Sequence, residues 1–137
     1  MARWVYVEMI QSRPIDTGTL DTAGRAVLTF NAVVTKRPSV TFEEEVAAVL
    51  DAASVAVENV TMFLSSKAVI PTGAGPYLSI LSTGGTAPVQ TQNAATIAYE
   101  RATVQIVVRG VAYKATRALA QAAFNALVVV RNQDVAA

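Results

Sequence analysis

The chain has 137 residues, of which 53% are hydrophobic and 15% charged, with a formal net charge of +1. That is the size of one domain with enough apolar content for a core, which excludes intrinsic disorder; near-neutrality leaves no electrostatic case for avid nucleic-acid binding. With no Cys and no His, disulfides, thiolate metal sites, histidine-based zinc sites and a Ser-His-Asp hydrolase are excluded.

A charged fraction this far below the usual ~25% points to surface covered by a permanent oligomer or assembly. The apolar runs are short and interrupted, so no membrane span is expected. The first residues lack the long apolar stretch of a signal peptide, which favours a cytoplasmic site of synthesis and use. The expectation is a single domain over residues 1–137.

Trp4 to Ile10 reads as a strand, rich in aromatic and β-branched residues. Residues 11–24 carry Pro14, Gly18 and Gly24 among Asp and Thr, and read as a loop. Arg25 to Thr35 is a second strand. Ala26, Leu28, Phe30 and Val34 form its apolar face, and Val27, Thr29, Asn31 and Val33 the other. Pro38 breaks the chain. Thr41 and Glu44 then form a capping-box pattern, and Glu43, Glu44 and Glu45 suit the positive end of a helix dipole. A helix from Thr41 to about Val55 would bury Phe42, Val46, Val49, Leu50 and Ala53.

Asn59 to Ile70 is β-rich but interrupted by Ser65, Ser66 and Lys67. Pro71 to Pro76 reads as a tight turn, Tyr77 to Ser82 as a short strand, and residues 83–96 as a long exposed connection. Thr103 to Arg109 alternates strongly, with Val104, Ile106 and Val108 on one face. Val111 to Leu127 is a second helix, and Val128 to Arg131 a return to strand. The predicted fold is α/β (α+β), a two-layer sandwich in which one mixed or antiparallel sheet of about five strands packs on two helices.

None of the chemistry-bearing groups forms a convincing catalytic or cofactor pattern. Gly73-Ala74-Gly75 and Gly84-Gly85 lack the Lys-Ser/Thr of a P-loop and the dinucleotide fingerprint, so they read as turns. Asp16 and Asp21 are too few and too irregular for a calcium loop. Glu43, Glu44 and Glu45 are explained by the helix start, and an exposed ion pair from Glu100 and Arg101 across a subunit boundary would be worth little. Arg109, Lys114 and Arg117 are too few for a nucleic-acid footprint. Trp4, Tyr6, Tyr77, Tyr99 and Tyr113 read as core or interface anchors. The residues argue against an enzyme and against any cofactor or metal, and for an interaction protein.

The run Ile70-Pro71-Thr72-Gly73-Ala74-Gly75-Pro76-Tyr77-Leu78-Ser79-Ile80, then Thr83-Gly84-Gly85-Thr86-Ala87-Pro88 with Thr91-Gln92-Asn93, then Ala98-Tyr99-Glu100-Arg101 before Val104-Gln105-Ile106-Val107-Val108-Arg109 and an alanine-rich helix, resembles tailed-phage minor capsid proteins of the tail-terminator type. Gln92 stands where that family often has His, and Ala102 where it often has Pro. Residues 4–16 and 24–31 look like the end of such a chain, and Thr41-Phe42-Glu43 like its start. The resemblance therefore implies a circularly permuted order, 41–137 followed by 1–40. That order requires residues 1–10 to lie beside residues 128–132, with the new ends in a polar turn.

The resemblance also implies a function. Tail terminators form a ring, commonly of six copies, that caps the tail tube and meets the head connector, with DNA passing through the lumen. The protein would assemble in the host cytoplasm and reside in the virion neck. Subunit or tail-tube contacts are expected at Gly84, Gly85, Pro88, Gln92, Asn93, Tyr99 and Arg101. The alternatives are a head-completion or connector protein of the same neck, a non-viral α/β protein-binding module, and an enzyme using carboxylates alone, such as Asp16 with Asp21.

Overall fold

A computed structural model of the chain describes residues 2–64, 70–90 and 97–135. The elements, in order, are β1 (Ala2–Met9), β2 (Ile15–Leu20), β3 (Ala26–Lys36), α1 (Phe42–Ala52), β4 (Met62–Leu64), β5 (Tyr77–Gln90), β6 (Ile97–Gly110), α2 (Tyr113–Val128) and β7 (Arg131–Val135). One mixed sheet runs β4-β5-β6-β3-β1-β7, with β2 also pairing β3. Among the described strands only the β4–β5 pair is parallel. The fold is mixed α/β as expected, but its sheet has seven strands instead of about five.

The alternation seen in the sequence sets the core. Leu28, Phe30, Ala32 and Val34 of β3, Ala102, Val104, Ile106 and Val108 of β6, and Leu78 and Ile80 of β5 are all buried in one cluster with the helices. The period of two places these side chains on a single face. Against that face α2 lays Thr116, Ala120, Ala123, Phe124 and Leu127, and α1 lays Phe42, Val46, Val49 and Leu50. The alanines let α2 approach closely, and Phe124 meets Phe30 edge-on with ring centroids 5.3 Å apart. Each large side chain buried here contributes about 1.5–3 kcal/mol of transfer free energy.

Several predicted boundaries shift. Residues 15–20 form β2 although they read as loop; every residue of this strand is exposed. It hydrogen-bonds to the lower half of β3, following β1 along the same strand edge. The strand Tyr77 to Ser82 continues to Gln90, and β6 begins at Ile97 instead of Thr103. Of the predicted connection, residues 83–90 are therefore strand, and 91–96 lie outside the described residues.

Helix α1 ends at Ala52, short of Val55. Ser54 is left-handed (φ 57), Ser54 N–H donates to Asp51 O and Val55 N–H to Leu50 O. This is a Schellman stop. It leaves Ala53, predicted on the apolar stripe, exposed. Helix α2 runs on to Val128, so the predicted strand 128–131 is displaced to Arg131–Val135. Leu127 and Val130 are drawn into the core while Val129 stays 70% exposed.

Strand β7 pairs antiparallel with β1, Ala2 opposite Val135 and Tyr6 opposite Arg131. Residues 2–6 thus lie beside residues 131–135, the adjacency a permuted order requires. The expected polar turn at Asn132-Gln133-Asp134 is strand instead.

Candidate functional site

Strands β5 and β6 are each 14 residues long and form a hairpin arm. The β3 partner of β6 stops at Lys36, opposite Glu100. On the other side β4 supports β5 only as far as Ile80. Beyond those points the hairpin continues on its own pairing, through Val89 opposite Tyr99 and Gln90 opposite Ile97. The register shifts between Ser82 and Gly84 and again between Thr86 and Val89. Such bulges bend a strand and increase its twist.

Gly84 and Gly85 sit in that first bulge with φ of 96° and 118°. A Cβ at Gly85 would collide with the Arg101 carbonyl oxygen, while one at Gly84 would meet open space. Two glycines are needed here because the backbone of β5 turns through the left-handed region while touching β6.

The arm's root is pinned on both faces of β6. Glu100 points to the helix side, where Lys36 Nζ donates to its Oε1 at 2.9 Å. Arg101 points to the open side, where its Nη2 donates to Glu8 Oε2 at 2.7 Å across β3. Glu100 and Arg101 are thus each engaged with a partner within the chain.

Lys36 and Glu45 are both fully buried, with Nζ 3.3 Å from Glu45 Oε1. Lys36 Nζ donates to Arg37 O, Ser39 Oγ and Glu100 Oε1, which uses all three ammonium protons. Glu45 accepts from Trp4 Nε1 at 2.9 Å, from Thr41 Oγ1 at 3.0 Å and from Ser39 Oγ. One network thus joins β1, β3, the turn into α1, α1 itself and the base of the arm. The Ser39 hydroxyl is held between an ammonium donor and a carboxylate acceptor, so the chemistry of this cluster is positional. A hollow of about 290 Å³ beside it is lined by Ser39, Phe42, Glu43, Ser82, Gly84 and Glu100.

This network corrects the predicted capping box. Thr41 makes no side-chain bond to the helix N–H groups. Its hydroxyl, with that of Ser39, satisfies the carboxylate of Glu45, which Lys36 and Trp4 draw inward. Glu45 is therefore a buried ion and not simply a solvated partner of the helix dipole. Its position was readable: Phe42, Glu45, Val46 and Val49 share one helix face, and Lys36 follows Leu28, Phe30 and Val34 in the inward register of β3. A charge in core phase on each of two neighbouring elements is the signal.

Of the predicted contact residues, Gly84, Gly85 and Pro88 lie on β5, and Tyr99 and Arg101 on β6. Gly84, Gly85, Tyr99 and Arg101 come together along the arm and its root. Gln92 and Asn93 lie outside the described residues. Tyr99 is 38% exposed.

The sheet face turned away from the helices carries the odd-numbered side chains of β3 and β6. On it, among the described residues, four buried polar atoms have no hydrogen-bond partner: Thr29 Oγ1, Thr35 Oγ1, Arg101 Nε and Arg109 Nε. Arg109 is on this face and Lys114 and Arg117 are on α2, so the sheet separates three cations that a nucleic-acid patch would need together.

The other polar groups are tied into turns. Asp16 Oδ1 accepts from Gly18 N–H. Asp21 accepts from the backbone N–H groups of Ala23 and Arg25 and from Arg25 Nε. The Arg25 backbone N–H, aided by the guanidinium, lowers the Asp21 pKa below the ordinary aspartate range. Arg25 is buried and also donates to Pro71 O and Gly73 O, stapling the Pro71–Pro76 turn to the β2–β3 turn. Among the described residues no group of three or more Asp, Glu, Cys or His could hold a metal ion. No helix among them is long and apolar enough to cross a membrane.

Comparison with protein-family models, with curated proteins and with solved structures gives no match for this chain.

Proposed function

We propose that the chain is a structural virion protein of a tailed phage: a tail terminator whose copies close into a ring, most simply of six, capping the tail tube and meeting the head connector. The observation that carries this reading is the hairpin arm, rooted by ion pairs on both faces of β6 and extended beyond the strands that flank it. A rigidly rooted arm reaches a neighbour without losing much conformational freedom on contact. The low charge of the chain and the open sheet face with its unpartnered polar atoms support burial of further surface in an assembly. Contact between two different surfaces of one chain closes into a ring when the rotation permits. DNA would cross the lumen without being read, and the protein would reside in the virion neck.

The permuted order belongs to the same proposal. Ala2 lies opposite Val135 on neighbouring antiparallel strands, so a chain ordered 41–137 then 1–40 needs only a short connection there. Such a reordered chain should fold to the same sheet.

The functional test is binding to purified tail tubes against purified portal rings of a tailed phage, visualised by negative stain. A terminator attaches at tube ends and stops their growth. Attachment to portal rings alone would transfer the chain to the head-completion class, and attachment to neither would count against both.

A further inference from the structure

The ion pairs leave an imbalance that points to one subunit contact. Arg3, Arg25, Lys36 and Arg101 all have carboxylate partners within the chain. Among the described residues Arg13, Arg37, Lys114, Arg117 and Arg131 have none but are exposed to water, whereas Arg109 has none and its Nε is buried without an acceptor on the open sheet face. On the acidic side, Asp51 and Glu58 have no side-chain partner among the described residues. Both line one hollow of about 370 Å³ with Ala47, Ala48, Val57, Met62 and a further carboxylate, Glu44, which is engaged elsewhere.

Asp51 lies in the last turn of α1, where the helix carries no basic residue. A carboxylate there faces the negative end of the helix dipole, an unfavourable arrangement in the isolated chain that an external cation would offset. Val57, 53% exposed, lines the same hollow. The open sheet face offers Val27, directly opposite Arg109, and Val107, each half-buried, beside Arg109. Both surfaces therefore combine apolar area with an uncompensated charge, and the charges are opposite.

We propose that the open sheet face around Arg109 docks onto the Asp51–Glu58 hollow of a second copy of this chain. A symmetric face-to-face pairing would bring Arg109 towards its own copy and leave it uncompensated. Pairing with the hollow gives the guanidinium two carboxylates, and such charge-assisted bonds are the strong ones. Because the two surfaces differ, the contact is heterologous and propagates round a ring. The proposal rests on the ring reading above and supplies its interface.

The test is a charge swap followed by native mass spectrometry and sedimentation of the full chain. R109E, and separately D51R/E58R, should each raise the concentration at which rings dissociate by at least ~10-fold, and the combined variant should recover most of that loss. Should R109E fail to fold by circular dichroism, D51R/E58R and R109Q carry the test, since Asp51 and Glu58 are exposed. Rings that persist unchanged in D51R/E58R, or a combined variant no better than the single-sided ones, would overturn this contact and leave the ring reading standing. A wild-type chain that forms no ring would overturn both.

Discussion

Replacing Lys36 by Met should destabilise the chain by about 3–5 kcal/mol, the cost of removing one partner from a buried ion pair. The figure follows from what is left behind. Glu45 stays fully buried and loses an ammonium 3.3 Å away, keeping the donors Trp4, Ser39 and Thr41. Arg37 O and Ser39 Oγ lose a donor each. Glu100 is 25% exposed on its side chain, so water takes over much of its loss. Against a typical total stability of ~5–15 kcal/mol this is a large fraction. Urea unfolding followed by fluorescence is the assay; Trp4, the only tryptophan, donates directly to Glu45. With a slope of ~1–3 kcal/mol/M, the midpoint should fall by roughly 1–5 M. The double variant K36M/E45Q should lose less than the sum of its single variants by about 1 kcal/mol or more, because one buried charge no longer waits unpaired. A midpoint shift below about 0.3 M, or strict additivity, would refute the reasoning.

Other outcomes follow from the same geometry. Gly85→Ala should cost about 1–3 kcal/mol or loosen the arm, and Gly84→Ala less, because only the former strikes the Arg101 carbonyl; amide exchange in β5 and β6 would show the difference. Ser54→Gly should stabilise α1 by about 1 kcal/mol, since φ of 57° costs a side chain that a glycine does not carry; thermal unfolding measures it. The Asp21 pKa is lowered in the fold, so its contribution is present above the unfolded-state value and is lost as pH falls through the lower folded value. Asp21→Asn should therefore flatten the decline in stability below about pH 4, and a wild-type decline that survives this change would contradict the assignment.

The parts of the fold that could be read from sequence are those whose own residues alternate. β3 and β6 bury every second residue, and α2 repeats small and apolar side chains at helical spacing. β2 was invisible because Asp16-Thr17-Gly18-Thr19 has no apolar period and is exposed throughout; its strand state is imposed by β3. The outer half of β5 was hidden for the same reason. Gly84, Gly85 and Pro88 disfavour a strand, and pairing with β6 overrides them. Gly84, Gly85 and Pro88 read as loop but belong to β5, and the buried ions at the arm's root escape a sequence reading because glutamates at a helix start have an ordinary explanation. Lys36 and Glu45 sit in core register, which that explanation does not cover.

The central claim is assembly into a closed ring, and native mass spectrometry of the purified chain over a wide concentration range tests it most directly. The account predicts one dominant closed species, six chains above all, that appears cooperatively as concentration rises and is annular in negative stain. A mass of one or two chains at every concentration, with no annular particles, would contradict it.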